Sequence, residues 1–179
     1  MLASIVLALS LVSNLPNLKF GGDSYMASHE MSLENRYGNA YVNDVFKDNI
    51  LLTLRYLEGS VTEADKISWE AVQRHFNYQD GFKSDGYLFG DGVCHLASLM
   101  YWVAKDAGLE AVSPVNHNFA NVPEVPKEYG VSISFRPNKT YGSALQNLYI
   151  TNNKKMPISF VFEFNGENLK ISVKEAKLI

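Results

Sequence analysis

At Val131 the spacing of apolar residues changes from a helical period to a period of two, and that change limits the folds open to this chain. Upstream, "NAYVNDVFKDNILLTLRYLEG" sets Val42, Val45, Phe46, Asn49, Leu52, Leu54 and Leu57 at roughly 3.6-residue spacing, with Gly59 as a natural stop. Ser60 and Glu63 then form a capping-box pattern, which predicts a shorter helical stretch through "DKISWEAVQRHF". A further helix is predicted from near Cys94 to about Ala107, ending at Gly108. Its apolar residues, among them Leu96, Leu99, Met100 and Val103, cover so broad a face that the helix is expected to be central. Downstream, "VSISF", "LQNLYIT", "PISFVFEF" and "LKISVKE" read as strands. Ile158, Phe160, Phe162 and Phe164 share one side of one strand, and Leu169, Ile171 and Val173 one side of the next. "NGEN" between them is an antiparallel hairpin signal. The expected class is α+β: amino-terminal helices, a central Cys-bearing helix and a carboxy-terminal antiparallel β-sheet.

The sequence, 179 residues long, suits one domain with a real core rather than two. A net charge of −3 leaves no basic footprint, so nucleic acid is not an expected partner. The single cysteine excludes an internal disulfide framework and a cysteine-rich zinc site. The apolar run Leu2–Val12 is too short to cross a bilayer as a helix, and suits the apolar region of a signal peptide or short anchor. No Lys or Arg precedes it, however. A buried first helix and a misplaced start site are the competing readings. With Pro16, Gly21 and Gly22 marking a linker, residues 1–25 are read as a signal- or anchor-like segment and 26–179 as the domain. Export is the localisation expected, as either a secreted protein or one anchored to the membrane through the apolar run.

Chemistry centres on "GYLFGDGVCHLASLMYWVAKDAGLE". Gly90, Asp91 and Gly92 form a turn before Cys94, which places the thiol in the first helical turn. There the unpaired backbone N–H groups and the positive helix end favour thiolate, and the amides at Val93–His95 could hold an oxyanion. A thiol nucleophile also needs an imidazole and an orienting group. Of the four histidines, His117 in "SPVNHNFANVPEVPKEYG" is the candidate base, with Asn116 or Asn118 to orient it; His95 follows the cysteine directly, and helical rotation would turn it elsewhere. Inert filler is the alternative reading of Cys94, and a loop histidine bonded to backbone that of His117. Zinc binding by Asp91, Cys94, His95 and His117 has no supporting spacing, so no metal and no cofactor is expected. Asp80, Asp85 and Asp91 do not match a calcium loop. The loop "NYQDGFKSDGYLFGDG", about sixteen residues, is long enough to suggest a functional loop. Asp91, Gly92, His95 and Trp102 are candidate substrate-binding residues, with core packing the competing account of Tyr101 and Trp102.

"GDGVCHLASLMYWVAKDAGLE", then "VNHNFANVPEVP", then "LQNLYITNNKKMPISFVFEFNGENLKISV" resembles the VanW family, named for an accessory protein of vancomycin-resistance clusters. The resemblance rests on Gly92-Val93-Cys94, Ala107-Gly108-Leu109 and His117, and covers approximately Leu88–Val173. It extends more weakly to Asn35-Arg36 and the helix at 41–58. Three departures stand out: His95 where the family usually has Gln, Gly130 in place of an acid, and "HFNYQDGFKSDG" in place of a "PGE-x-F-S-F" segment. The resemblance implies a bacterial cell-envelope role without a defined reaction. Two functions are therefore expected to compete. One is a thiol hydrolase or transferase acting on peptide or amide bonds of wall material, with Cys94 as nucleophile and His117 as base. The other is a non-catalytic module that binds peptidoglycan or precursor peptides through the Gly81–Gly92 loop and Tyr101/Trp102.

Overall fold

The computed structural model describes residues 5–11, 18–19, 25–34, 36–58, 66–86, 89–134, 144–175 and 177–178, with backbone alone for the first two segments and the last. Strands β1 (Ile5–Leu11), β2 (Leu18–Lys19) and β3 (Tyr25–Ser32) precede helix α1 (Ala40–Glu58). Strand β4 (Lys66–Ser68), a single helical turn α2 (Glu70–Gln73), helix α3 (Val93–Asp106) and strand β5 (Glu110–Val112) follow. The chain closes with β6 (Tyr149–Thr151), β7 (Ile158–Phe164), β8 (Asn168–Glu175) and β9 (Lys177–Leu178).

The principal sheet is antiparallel in the order β1-β7-β8-β3. Its centre is the expected hairpin. Phe164 pairs with Leu169 across the turn, where Asn165 Oδ1 accepts the N–H groups of Glu167 and Asn168. Ile158, Phe160, Phe162, Phe164, Leu169, Ile171 and Val173 are all buried, as the period of two requires. The sheet also recruits both flanking strands from the amino-terminal part of the chain: β1 runs from Ile5 opposite Phe164 to Leu11 opposite Ile158, and β3 lies along β8. A smaller antiparallel sheet has the order β4-β6-β5, and β2 pairs with β9.

Helix α1 is capped by Asn39, whose Oδ1 accepts the Tyr41 N–H at 2.9 Å. It buries Val45, Ile50, Leu54 and Leu57, together with the polar Asn49 and Thr53. Helix α3 lies between α1, the β3–β8 side of the principal sheet, and β5. Leu96, Ala97, Leu99, Met100, Val103 and Ala104 have no exposed surface. It ends in a Schellman motif, with Leu109 N–H bonded to Ala104 O and Gly108 N–H to Lys105 O; Gly108 takes the left-handed φ of 67° that this stop requires.

Three expected elements differ. Ser60 and Glu63 lie outside the described residues, and the stretch after them is strand β4 followed by one turn of helix. Ile67 and Trp69 alternate into the core while Lys66–Ser68 pairs with β6, so sheet pairing overrides a weak helical pattern. "VSISF" is extended at Val131–Ser134 without joining a ladder, and "LQNLYIT" pairs only at Tyr149–Thr151. Among the described residues no helix is long and apolar enough to cross a membrane.

Candidate ligand site at the start of the cysteine helix

The site begins with a close approach of two helices. Gly92 is the N-cap of α3, with φ 92°, and a Cβ there would lie 2.9 Å from the Phe46 Cα and carbonyl oxygen of α1. Only glycine satisfies both the left-handed conformation and the contact. The loop leading to it is clipped to α1 by Asn49, which is fully buried. Asn49 Oδ1 accepts the Lys83 N–H at 2.8 Å, and its amide donates to Lys83 O and Asp91 O, both at 3.0 Å. Asn49 occupies a position that helical spacing alone assigns to the apolar face. A polar residue there was the one sequence sign of this clip.

Cys94 lies in the second position of α3. Its Sγ accepts the Ile133 N–H at 3.4 Å and donates to Ile133 O at 3.6 Å, so the thiol acts as a rung joining α3 to the extended segment Val131–Ser134. One turn on, buried Ser98 Oγ donates to Cys94 O and accepts the Val131 N–H at 2.8 Å, a second rung that sequence reasoning missed. Burial, reinforced by the nearby Asp91 carboxyl, pushes the thiol up to about 11, against the lowering effect of the Ile133 bond. The amides foreseen as an oxyanion hole are largely engaged: Val93 N–H donates to Gly90 O at 3.1 Å and His95 N–H to Gly92 O at 3.0 Å.

Around Cys94 the structure gathers Asp91, Gly92, His95 and His117 on the wall of one cavity of about 370 Å³, between α1, α3 and the loops at 89–92 and 117–120. Tyr37, Phe46, Phe76, Phe89 and Phe119 supply its apolar lining. His117 is buried, and its Nδ1 is 2.9 Å from Ala120 O. A carbonyl only accepts, so Nδ1 carries the proton in the neutral ring and Nε2 keeps its lone pair. His95 is 3 % exposed, sits edge-on to Phe46, and has its ring centroid 6.1 Å from that of His117. Its Nδ1 is buried without a hydrogen-bond partner. Burial, then the positive charge of Arg36 and the neighbouring His117, lowers its titration to about 3, so the ring is neutral.

Asp91 Oδ2 accepts the Asp85 N–H at 2.9 Å, while Asp85 Oδ1 is buried with no partner. Burial and the adjacent Asp85 carboxyl push Asp91 up to about 6. A second cavity of about 270 Å³, lined by residues 120–123, 125–127 and Gly130, shares His117 and Ala120 with the first. Gly130 touches this junction: a Cβ there would lie 3.0 Å from Asn116 Oδ1 and 3.3 Å from the His117 backbone nitrogen and Cβ.

Other expected residues fall elsewhere. Asn116 donates from its amide to Lys127 O, bracing the 3-10 turn Lys127–Tyr129, and Asn118 is exposed; the group that orients His117 is the Ala120 carbonyl. Trp102 lines neither cavity. It stacks on His29 with ring centroids 3.5 Å apart and lies near-parallel to Tyr129, while His29 Nε2 is 2.6 Å from Asp106 Oδ2. Among the described residues no three His, Cys, Asp or Glu side chains are disposed to share a metal ion.

Residues 47–174, which include Asp91, Cys94, His95 and His117, match the family model described as VanW like protein. No curated protein and no solved structure matches the chain.

Proposed function

Because the chain belongs to the VanW-like family, we propose that it is a binding module of the bacterial cell envelope, whose joined cavities take an extended wall peptide or peptidoglycan precursor. The observation that carries the binding reading is the bracketing of Cys94 Sγ by both backbone groups of Ile133. A thiol used as a rung and held up to about 11 is a poor source of thiolate near neutral pH. What remains is a concave, mostly apolar site with a few convergent polar groups, the usual form of a ligand pocket. Two cavities meeting at His117 favour an extended ligand over a compact one. The envelope context rests on the family.

One observation favours the thiol-enzyme reading, in which Cys94 attacks an amide and His117 takes its proton. His117 has Nδ1 tied to Ala120 O and Nε2 bare, the tautomer a general base needs, and it shares a cavity wall with Cys94. Iodoacetamide alkylation across pH separates the two. The binding reading expects Cys94 to react only well above its free-thiol range, and Cys94→Ala to bind soluble wall peptides as the wild type does. Rapid alkylation below about pH 7 that collapses in His117→Ala would establish the enzyme instead.

A further inference from the structure

The larger cavity has a one-sided chemistry. Its wall carries the Asp91 carboxyl, and beside it the Asp85 carboxyl has a buried oxygen without a partner. Among the described residues no hydrogen bond reaches His117 Nε2, and His95, almost wholly buried in the same wall, has an Nδ1 without a partner. The rings of Phe46, Phe76 and Phe89 present π-faces or edges to the same space. No Lys or Arg is among the described residues lining it. Among the described residues Arg36, whose charge reaches His95, spends its terminal nitrogens on Ser32 O, Glu124 and Pro123 O, with Nε left unbonded. At the start of α3 the Val93 and His95 amides are already bonded to Gly90 O and Gly92 O.

Among the described lining residues an anionic group would meet a carboxyl and no cation. A purely apolar group would leave His95 Nδ1 buried and unbonded and the Asp91 carboxyl without a partner from the ligand, a cost a native site seldom carries. An ammonium group meets every requirement at once. It donates three hydrogen bonds, it carries the charge that the carboxyls lack, and aromatic faces attract it.

We infer that the cavity between α1 and α3 is a primary-amine site, in which the ammonium of the ligand sits at Asp91 with the imidazoles of His95 and His117 and the phenylalanine rings around it. The inference rests on the binding reading and adds the chemistry of the group bound. The raised carboxyl of Asp91 agrees with it: a carboxyl pushed up to about 6 by burial and by Asp85 is one that a bound cation would draw down.

The test uses the full chain and two probe pairs, read by calorimetry and by the His95 and His117 ring signals in NMR. The first pair is benzylamine against benzyl alcohol. The second is Nα-acetyl-lysyl-D-alanyl-D-alanine, with a free ε-amine, against its Nα,Nε-diacetyl form. Benzylamine is expected to bind about tenfold or more tightly than the alcohol. Asp91→Asn, checked for native melting, should abolish that preference. The wild-type protein supplies a second measurement that needs no variant. Its amine preference should fall as pH drops through about 6, with Asp85, Tyr37 and Cys94 as the groups whose charge couples to Asp91, His95 and His117 on the same cavity wall, and Arg36 beside His95. Equal binding of amine and alcohol, or a preference that survives both Asp91→Asn and acid pH, overturns the inference. Should the wall peptides bind equally with and without the free amine, the inference falls and the binding reading stands. Should they fail while benzylamine keeps its Asp91-dependent preference, the reading falls and the inference stands. If no probe binds, both are overturned.

Discussion

The thiol of Cys94 is bonded to both the N–H and the carbonyl of Ile133, at 3.4 and 3.6 Å, although the two residues lie 39 positions apart. The bond makes the protonated thiol a structural element, and this has a direct consequence in alkali. The folded thiol titrates near 11 and the unfolded one near its ordinary 9. Its contribution is therefore whole below pH 9 and lost as pH rises from 9 to 11. Denaturant melts at about pH 8 and pH 10.5 should show the wild type losing on the order of 2 kcal/mol more than Cys94→Ala. Parallel losses in the two proteins would show that the thiol carries none of it.

His95 has the opposite sign. Its folded-state value is lowered to about 3, from 6.5 when unfolded, so the neutral ring stabilises the fold above pH 6.5 and this is lost as pH falls toward 3. Asp91, raised to about 6, works the other way, losing its contribution as pH rises from 3.8 to 6. Replacing His95 with Gln isolates the first effect. Between about pH 7.5 and pH 5, His95→Gln should lose roughly 2 kcal/mol less than the wild type. Equal acid sensitivity in a thermal melt would refute a neutral buried His95.

Gly92→Ala is expected to be among the most damaging single-methyl changes in the chain. It imposes a left-handed φ on an L-residue, costing about 1–2 kcal/mol, and presses Cβ against the Phe46 backbone at 2.9 Å. The combined loss should exceed about 2 kcal/mol in equilibrium unfolding. Gly38, where an added Cβ meets nothing within 4 Å, is the control and should change little.

Asn49→Ala unclips the loop from α1. Three hydrogen bonds disappear, and the Lys83 and Asp91 backbone groups lose their partners. The expected cost is about 2–4 kcal/mol, with faster proteolysis between Ser84 and Gly90. Asn49→Asp keeps the acceptor for the Lys83 N–H but sets oxygen against two carbonyls, so it should fail as well. A variant that melts and resists protease like the wild type would remove Asn49 from the account of the site.

The elements legible in the sequence were those whose signal is local. Helix α1, helix α3 with its stop at Gly108, and the β7–β8 hairpin each carry their own period and turn chemistry within a short window. Residues Leu2–Val12 could not be read this way, because a continuous apolar run looks alike as helix, strand or leader. As β1, part of that run pairs with β7 more than 140 residues away, with Ile5 opposite Phe164. Likewise Lys66–Ser68 is a strand because β6 lies beside it. In the site, Asp91, Gly92, Cys94, His95 and His117 were named from sequence, and the fold brings them to one wall. Ala120 as the partner of His117 left no trace, since a backbone carbonyl has no residue signature.

By itself, then, the sequence determined the α+β class, the turn into the cysteine helix, and which polar side chains it could offer a ligand. That Cys94 Sγ meets both backbone groups of Ile133 was decided by tertiary structure alone. The ionisation of a thiol depends on what surrounds it in space, and here burial and the nearby Asp91 carboxyl hold the proton on, against the lowering effect of the bond from Ile133, 39 residues downstream.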